Sequence, residues 1–306
     1  IPESYRLPEV KNSAGYYLKQ GMSVIDLFIG AEGTLGVLTK AKLRVLPLPA
    51  EFISLVIFFS DMDEGLVFLD AIREVSATNN QLQNGKIGAR AIEFFDEESL
   101  KLLRSKHPTI PKDAVAAYWV EQDCMSAREY QVLLDEWQVF LEQCQIDFDN
   151  TWFSADENDR AKIIGMRHDL PLAVNDLIKM RGVKKLGTDI AVPKELFREF
   201  YYAAIRKVQE ADLQYVAFGH FGDSHLHLNI LSRNLEELER GRQLYDYLCD
   251  TAIRSGGTFS AEHGVGKLKR AYLKSMLGDS NLQLMRRIKL IFDPNNILGR
   301  GNLFEN

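Results

Sequence analysis

Cysteine is scarce in this chain: three residues in 306, at positions 124, 144 and 249. They lie far apart and never in a CxxC spacing, which excludes a disulfide framework and a thiolate metal site. A reducing, cytoplasmic compartment is expected. Long apolar runs are also lacking. No uncharged apolar stretch reaches the ~18 residues of a transmembrane segment. The start, Ile1-Pro2-Glu3, has neither the basic residues nor the apolar core of a signal peptide, and it reads as a piece of something longer. An excess of positive charge is missing as well. With 37 Lys and Arg against 43 Asp and Glu, the net charge is -6, which argues against nucleic acid or an anionic membrane as the main partner. What remains is ordinary: 46% hydrophobic and 26% charged residues, in a chain long enough for a substantial core.

The hydrophobic pattern divides the chain. Residues 24–49 carry Gly30, Gly33 and Gly36, and Val37 to Leu46 alternates like a strand that stops at the prolines of LPLP. From Phe52 the order is strand, helix, strand, strand, helix, strand, ending near Phe153. That is the order of a ferredoxin-like unit. Asn158 to Lys179 is expected to be helical with an interruption near Pro171. Then a similar order returns: Leu186 to Val192 as strand, Glu195 to Ala211 as helix, and Tyr215 to Phe218 and Leu226 to Leu231 as strands. Leu235 to Arg254 follows as a helix closed by Gly256-Gly257, and Phe259 to Ala261 as a short strand. Asn281 to Phe292 is a last helix, stopped by Asp293-Pro294.

Histidine is rare, with six residues in all, yet three fall within Phe218–Asn229, FGHFGDSHLHLN. On a strand, His225, His227 and Asn229 share one face, and Leu226, Leu228 and Ile230 share the other. The turn Gly222-Asp223-Ser224 can fold His220 back toward His227. Glu262-His263 lies among glycines further on. His220, His227 and Glu262 make a His-His-carboxylate set with open positions, the style of a catalytic divalent site. Two imidazoles and a carboxylate suit zinc, iron or manganese, and spacing alone does not name the metal. Against it stands the plain reading of polar residues in a turn.

HFGDSHLH (220–227) and AEHGVGKLKR (261–270) resemble the HxGDGNxH and EHGxG motifs of the FAD-linked 2-hydroxy-acid dehydrogenases. This family includes D-lactate dehydrogenase, the glycolate oxidase GlcD-type subunit and D-2-hydroxyglutarate dehydrogenase. DLFIGAEGTLGVLTKAKLRVLPLP (26–49) resembles the end of their PCMH-type FAD-binding domain, and FDPNNILGRGNLF (292–304) their C-terminal DPxxILNPGK. The resemblance implies an α+β fold: a ferredoxin-like FAD-linked oxidase C-terminal (cap) domain with an antiparallel sheet. Residues 1–49 would end the FAD-binding domain, 50–265 would form the cap, and 266–306 would pack back on the FAD side.

The resemblance also implies a chemistry. A D-2-hydroxy acid such as lactate, glycolate or 2-hydroxyglutarate is oxidised to the 2-oxo acid. His220, His227 and Glu262 would bind the metal, His263 would be the base, and Asn229 and Arg167 would contact the substrate. Gly30, Glu32, Gly33, Thr34 and Gly36 would contact FAD. Electrons would pass to a quinone, a cytochrome or an electron-transfer flavoprotein, with peripheral contact at the inner membrane and a homodimer left open.

Two departures stand out. Ser224-His225 replaces the family's Gly-Asn, so His225 either adds a ligand or caps the turn. The family's substrate-binding Lys before the Asp-x-x-x-Pro segment has no counterpart that aligns with Lys184 or Lys185, which leaves the acid open. The glycine-rich loop for the flavin pyrophosphate is not in this sequence, so weak or no FAD retention is expected of these 306 residues. Two other readings remain: a flavin-free metal hydrolase or binding module, and a noncatalytic cap subunit of a split flavoenzyme.

Overall fold

The computed structural model describes residues 2–82, 86–147 and 151–305. Its centre is an eight-stranded sheet made of two similar halves. The first half runs β1 (Glu51–Phe59), α1 (Met62–Leu82), β2 (Ala91–Asp96), α2 (Glu97–Leu103), β3 (Ala116–Cys124), α3 (Ala127–Gln143) and β4 (Trp152–Phe153). Helix α4 (Glu157–Arg181) connects to the second half: β5 (Leu186–Gly187), β6 (Ile190–Ala191), α5 (Phe197–Glu210), β7 (Tyr215–Gly219), β8 (His225–Ile230) and α6 (Leu235–Arg254). Helix α7 (Arg270–Phe292) follows, broken at Gly278.

The spatial order is β4-β1-β3-β2-β7-β8-β5, with β6 also on β8. The first four strands have the ferredoxin-like order. The second half repeats it in mirror sequence, since Thr258 bridges to Ala191 at the far edge. The two units therefore join side by side through their second strands, β2 and β7, in an antiparallel pair at Phe94–Gly219 and Phe95–Phe218.

Strand β1 is a continuous apolar run because both sheet faces are covered. Ile53, Leu55 and Ile57 belong to one core with Leu66, Leu69 and Ile72 of α1 and Leu133, Trp137 and Leu141 of α3. Val56 points to the other core, with Leu100 of α2 and Ile163, Met166, Leu170, Val174 and Ile178 of α4. Burial of each large side chain contributes about 1.5–3 kcal/mol. The three cysteines are free. No helix among the described residues is long and apolar enough to cross a membrane.

Several sequence expectations are corrected. Val37 to Leu46 is not a strand; the segment has no regular structure, and Val37, Leu43, Val45 and Leu46 are about four-fifths exposed. A strand needs a neighbour for its amides, and the described residues offer none to this segment. Helix α4 runs unbroken through Pro171. Proline removes one amide donor, and the stripe from Ile163 to Ile178 stays buried around it. The strand expected over Asp147 to Phe153 is only Trp152–Phe153, with 148–150 outside the described residues. The expected Phe259 strand is one bridge at Thr258. The last helix begins at Arg270, earlier than Asn281.

Candidate metal centre

Strand β8 and its approach build the site. Gly219 ends β7 with φ +148°, and a Cβ there would lie 2.6 Å from the His225 carbonyl, so only glycine allows the strands this close. A helical turn follows over Phe221–Asp223, and Ser224 closes it at φ 54°. Buried Arg73 of α1 holds this turn, donating to the Phe221 carbonyl and, at 3.0 Å, to the Ser224 hydroxyl. The strand then alternates as expected, with His225, His227 and Asn229 on one face. The pairs Gly187–Asn229 and Ile190–Leu226 bracket Thr188 and Asp189, which sets Asp189 opposite His227 on that same face.

Glu262 is the point of convergence. Its Oε1 lies 3.3 Å from His220 Nε2, 3.4 Å from His227 Nε2 and 3.7 Å from His263 Nε2. Lys11, from the N-terminal segment, reaches its other oxygen at 2.9 Å. The His227 contact lowers the Glu262 carboxyl; partial burial opposes this, and Lys11 and His220 add to it, leaving the group far below the ordinary carboxylate range. The donor atoms of His220, His225, His227 and Glu262 all lie within 4.8 Å of one another. Asp189, His227 and His263 form a second such group.

The arrangement fits a divalent cation on one observation. Each imidazole has one nitrogen committed to an outer partner. His220 Nδ1 pairs with Glu93, His227 Nδ1 donates to the Thr188 carbonyl at 3.2 Å, and His225 Nε2 meets Asp189 at 2.9 Å. Such partners fix the tautomer and aim the other nitrogen at a metal. The Glu93 hydrogen bond raises His220 above its ordinary value against the effect of burial. Burial by itself would raise Glu93, yet His220 and Arg167 outweigh it and hold the carboxyl low.

Asp189 is fully buried and organises the neighbouring loop. It accepts from the Glu262 amide at 3.2 Å, the His263 amide at 2.9 Å, Ser260 Oγ at 2.9 Å and Lys269 Nζ at 3.3 Å. Burial opposes its charge, but His225, Lys269 and the His263 amide win, and its carboxyl stays well below the usual range. His263 is more than half exposed at 58%. Burial of the remainder lowers its pKa, against the pull of Asp189.

The other expected residues fall around this core. Arg167 on α4 donates to Glu93 at 2.9 Å and is 17% exposed, with its guanidinium 5.6 Å from the Phe218 ring centre. It is not a free surface charge. Asn229 is buried, its Oδ1 beside Gly187. Glu32 is partly buried and accepts from the Val265 and Gly266 amides at 2.7 and 2.6 Å. Thr34 is buried, its hydroxyl 2.6 Å from that of Tyr16. Gly30 and Gly33 are exposed, and nothing within 4 Å would meet a Cβ at Gly33. This loop exposes its backbone at Gly30 and Gly33 and lies beside the Glu262-His263 loop. Sequence reasoning missed Glu93, Asp189 and Lys11. The first two carried a signal, a carboxylate inside an apolar strand, which must find partners. Lys11 carried none.

Residues 62–303 match the model of the family described as FAD linked oxidases, C-terminal domain. The chain belongs to this family. Among relatives of this FAD-linked oxidase domain, D-lactate dehydrogenase [cytochrome] 1, mitochondrial, of Saccharomyces cerevisiae is 31% identical over 96% of the chain and 48% of that protein. Glycolate oxidase subunit GlcD of Bacillus subtilis is 27% identical over 96% of the chain and 58% of that protein. The chain thus spans about half the length of the curated relatives it matches. Among solved structures, p-cresol methylhydroxylase with substrate bound superposes with a TM-score of 0.60 at 14% identity, over 84% of this chain and 53% of that one. That likeness concerns the fold.

Proposed function

We propose that this chain is the substrate-binding and metal-binding part of a flavin-dependent dehydrogenase that oxidises a D-2-hydroxy acid to its 2-oxo acid. The observation that carries the reading is the convergence of His220 Nε2 and His227 Nε2 on Glu262 Oε1, with His263 Nε2 3.7 Å away. The names of the relatives supply the substrate class: lactate, glycolate or 2-hydroxyglutarate.

His220, His227 and Glu262 would hold the divalent cation, zinc by preference, and Glu262 would bring the charge that offsets it. When bound, the cation would supply Lewis-acid polarisation of the substrate hydroxyl, and the flavin would supply a hydride acceptor. His263 takes the hydroxyl proton at its ring nitrogen, and Asp189 holds the His263 backbone in place. Asn229 donates to the substrate, and Arg167 draws its carboxylate. Gly30, Glu32, Gly33, Thr34 and Gly36 form the flavin-side loop, with Glu32 tying it to residues 265–266. On this reading residues 1–49 end the FAD-binding domain, 50–265 form the cap and 266–306 pack back. The Tyr16–Phe304 and Phe28–Phe292 ring contacts and the Lys289 bond to the Thr34 carbonyl support that return.

The test uses the flavin-loaded protein with D-lactate, glycolate and D-2-hydroxyglutarate and a dye acceptor. A His263→Asn substitution is expected to lower kcat by about 10²–10⁴-fold, the usual contribution of a general base, with metal content unchanged. Undiminished turnover in that variant removes His263 from the mechanism.

A further inference from the structure

His225 stands where the strand enters the site, and its side chain is completely buried. It does not cap the turn: its amide donates to the His220 carbonyl at 3.2 Å, while its ring points inward from β8 beside His227. The Ser224 conformation, clamped by Arg73, sets that direction. Nε2 is taken by Asp189 at 2.9 Å. A carboxylate partner fixes the proton on Nε2 and leaves a lone pair on Nδ1. That Nδ1 is buried and has no hydrogen-bond partner among the described residues. A buried acceptor left unpaired costs about 1–3 kcal/mol, so such atoms are expected to have a partner.

The surroundings name the partner. The His225 ring centre is 4.3 Å from that of His227 and 5.3 Å from that of His220. One ring nitrogen of His225 belongs to the same 4.8 Å cluster as donor atoms of His220, His227 and Glu262. Its outer contact also matches theirs: Asp189 behind His225, Glu93 behind His220 and the Thr188 carbonyl behind His227. Three imidazoles have been tied back in the same way around one carboxylate. We propose that His225 is a fourth protein ligand of the metal centre, giving a three-imidazole, one-carboxylate site for a single divalent cation. The inference rests on the metal-site reading above and extends it.

A fourth ligand has consequences. A nitrogen-rich set selects zinc, cobalt or iron(II) over magnesium, which prefers oxygen. Fewer positions stay open, so the ion is held by protein before substrate arrives. The second donor group, Asp189 with His227 and His263, is a weaker place for an ion, because Asp189 is already surrounded by donors.

The 306-residue chain is titrated with Zn²⁺ alone while the imidazole ¹⁵N signals are followed by NMR. The proposal predicts that His225 Nδ1 shifts together with His220 Nε2 and His227 Nε2. In parallel, Co²⁺ serves as the visible probe for wild type and a His225→Asn variant. Loss of an outer partner costs about 10–100-fold in metal affinity, and loss of a direct ligand is expected to exceed about 100-fold and to change the Co²⁺ spectrum. Zinc bound with the His225 signal unmoved overturns the proposal and leaves the three-ligand centre standing, as does a folded variant with unchanged affinity and spectrum. No zinc bound to wild type removes both. The NMR arm needs no variant, so misfolding of His225→Asn does not decide the matter.

Discussion

Asp96 shows how one residue ties a local role to the whole fold. Its side chain caps α2 by accepting the Ser99 amide at 2.8 Å, yet it is 4% exposed. Burial pushes its carboxyl from the ordinary 3.8 up to about 7, against the hydrogen bonds of Ser99. The folded chain therefore keeps this proton up to about pH 7, while the unfolded chain releases it near 3.8. Between those values folding takes up a proton, so this group's contribution to stability falls as pH rises and levels off above about 7. Asn caps equally well without the charge. Asp96→Asn is expected to raise Tm at pH 8 by about 2–4 °C for each kcal/mol relieved, and by less at pH 5. Thermal unfolding at the two values checks this; an equal gain at both, or a loss at pH 8, contradicts it. At this same scale the sequence disclosed His220, His227, Glu262 and His263 through their types and glycine setting. It concealed Lys11, because nothing local marks a surface lysine that folding brings 2.9 Å from a carboxylate 251 positions away.

Among elements, the loop around Glu262-His263 depends on two carboxylates that are not on it. Asp189 gathers the amides of residues 262 and 263, and Glu32 gathers those of 265 and 266. Gly264 permits the second contact: a Cβ there would come 2.8 Å from Glu32 Oε1, at φ +76°. Hydrogen bonds to a charged group contribute about 1.5–3 kcal/mol. Glu32→Ala is expected to lower stability by about that amount, and hydrogen exchange should quicken at the Val265 and Gly266 amides. Unchanged exchange there contradicts the anchoring role. Element types were legible where a periodic stripe faced a core, as with Leu133, Trp137 and Leu141. The buried stripe of α5 follows Phe197, Phe200, Tyr201, Ala204 and Val208. Val37 to Leu46 failed for another reason: alternation shows what a strand needs, and whether a neighbour is present is decided elsewhere in the chain.

For the whole molecule, two ferredoxin-like units joined through β2 and β7 explain why the site lies where it does. Glu93 comes from the joining strand of one unit and His220 from the turn after the joining strand of the other, so the seam itself holds the first imidazole. The doubled order was visible in the sequence as a recurrence of element types. The seam was not, because register between distant strands leaves no local trace. The exposed apolar stretch from Val37 to Leu48 also acts at this scale. Such a segment promotes association. Light scattering of the isolated chain is expected to show self-association that Val37→Lys, Leu43→Lys and Val45→Lys together reduce. A wild-type monomer at the same concentration contradicts that.

The central claim is that His220, His227 and Glu262 hold a divalent cation. Competition of the 306-residue chain with a chromogenic zinc chelator tests it most directly. The account predicts one ion per chain, lost in His220→Ala and in Glu262→Gln. No bound ion, or equal affinity in both variants, contradicts it.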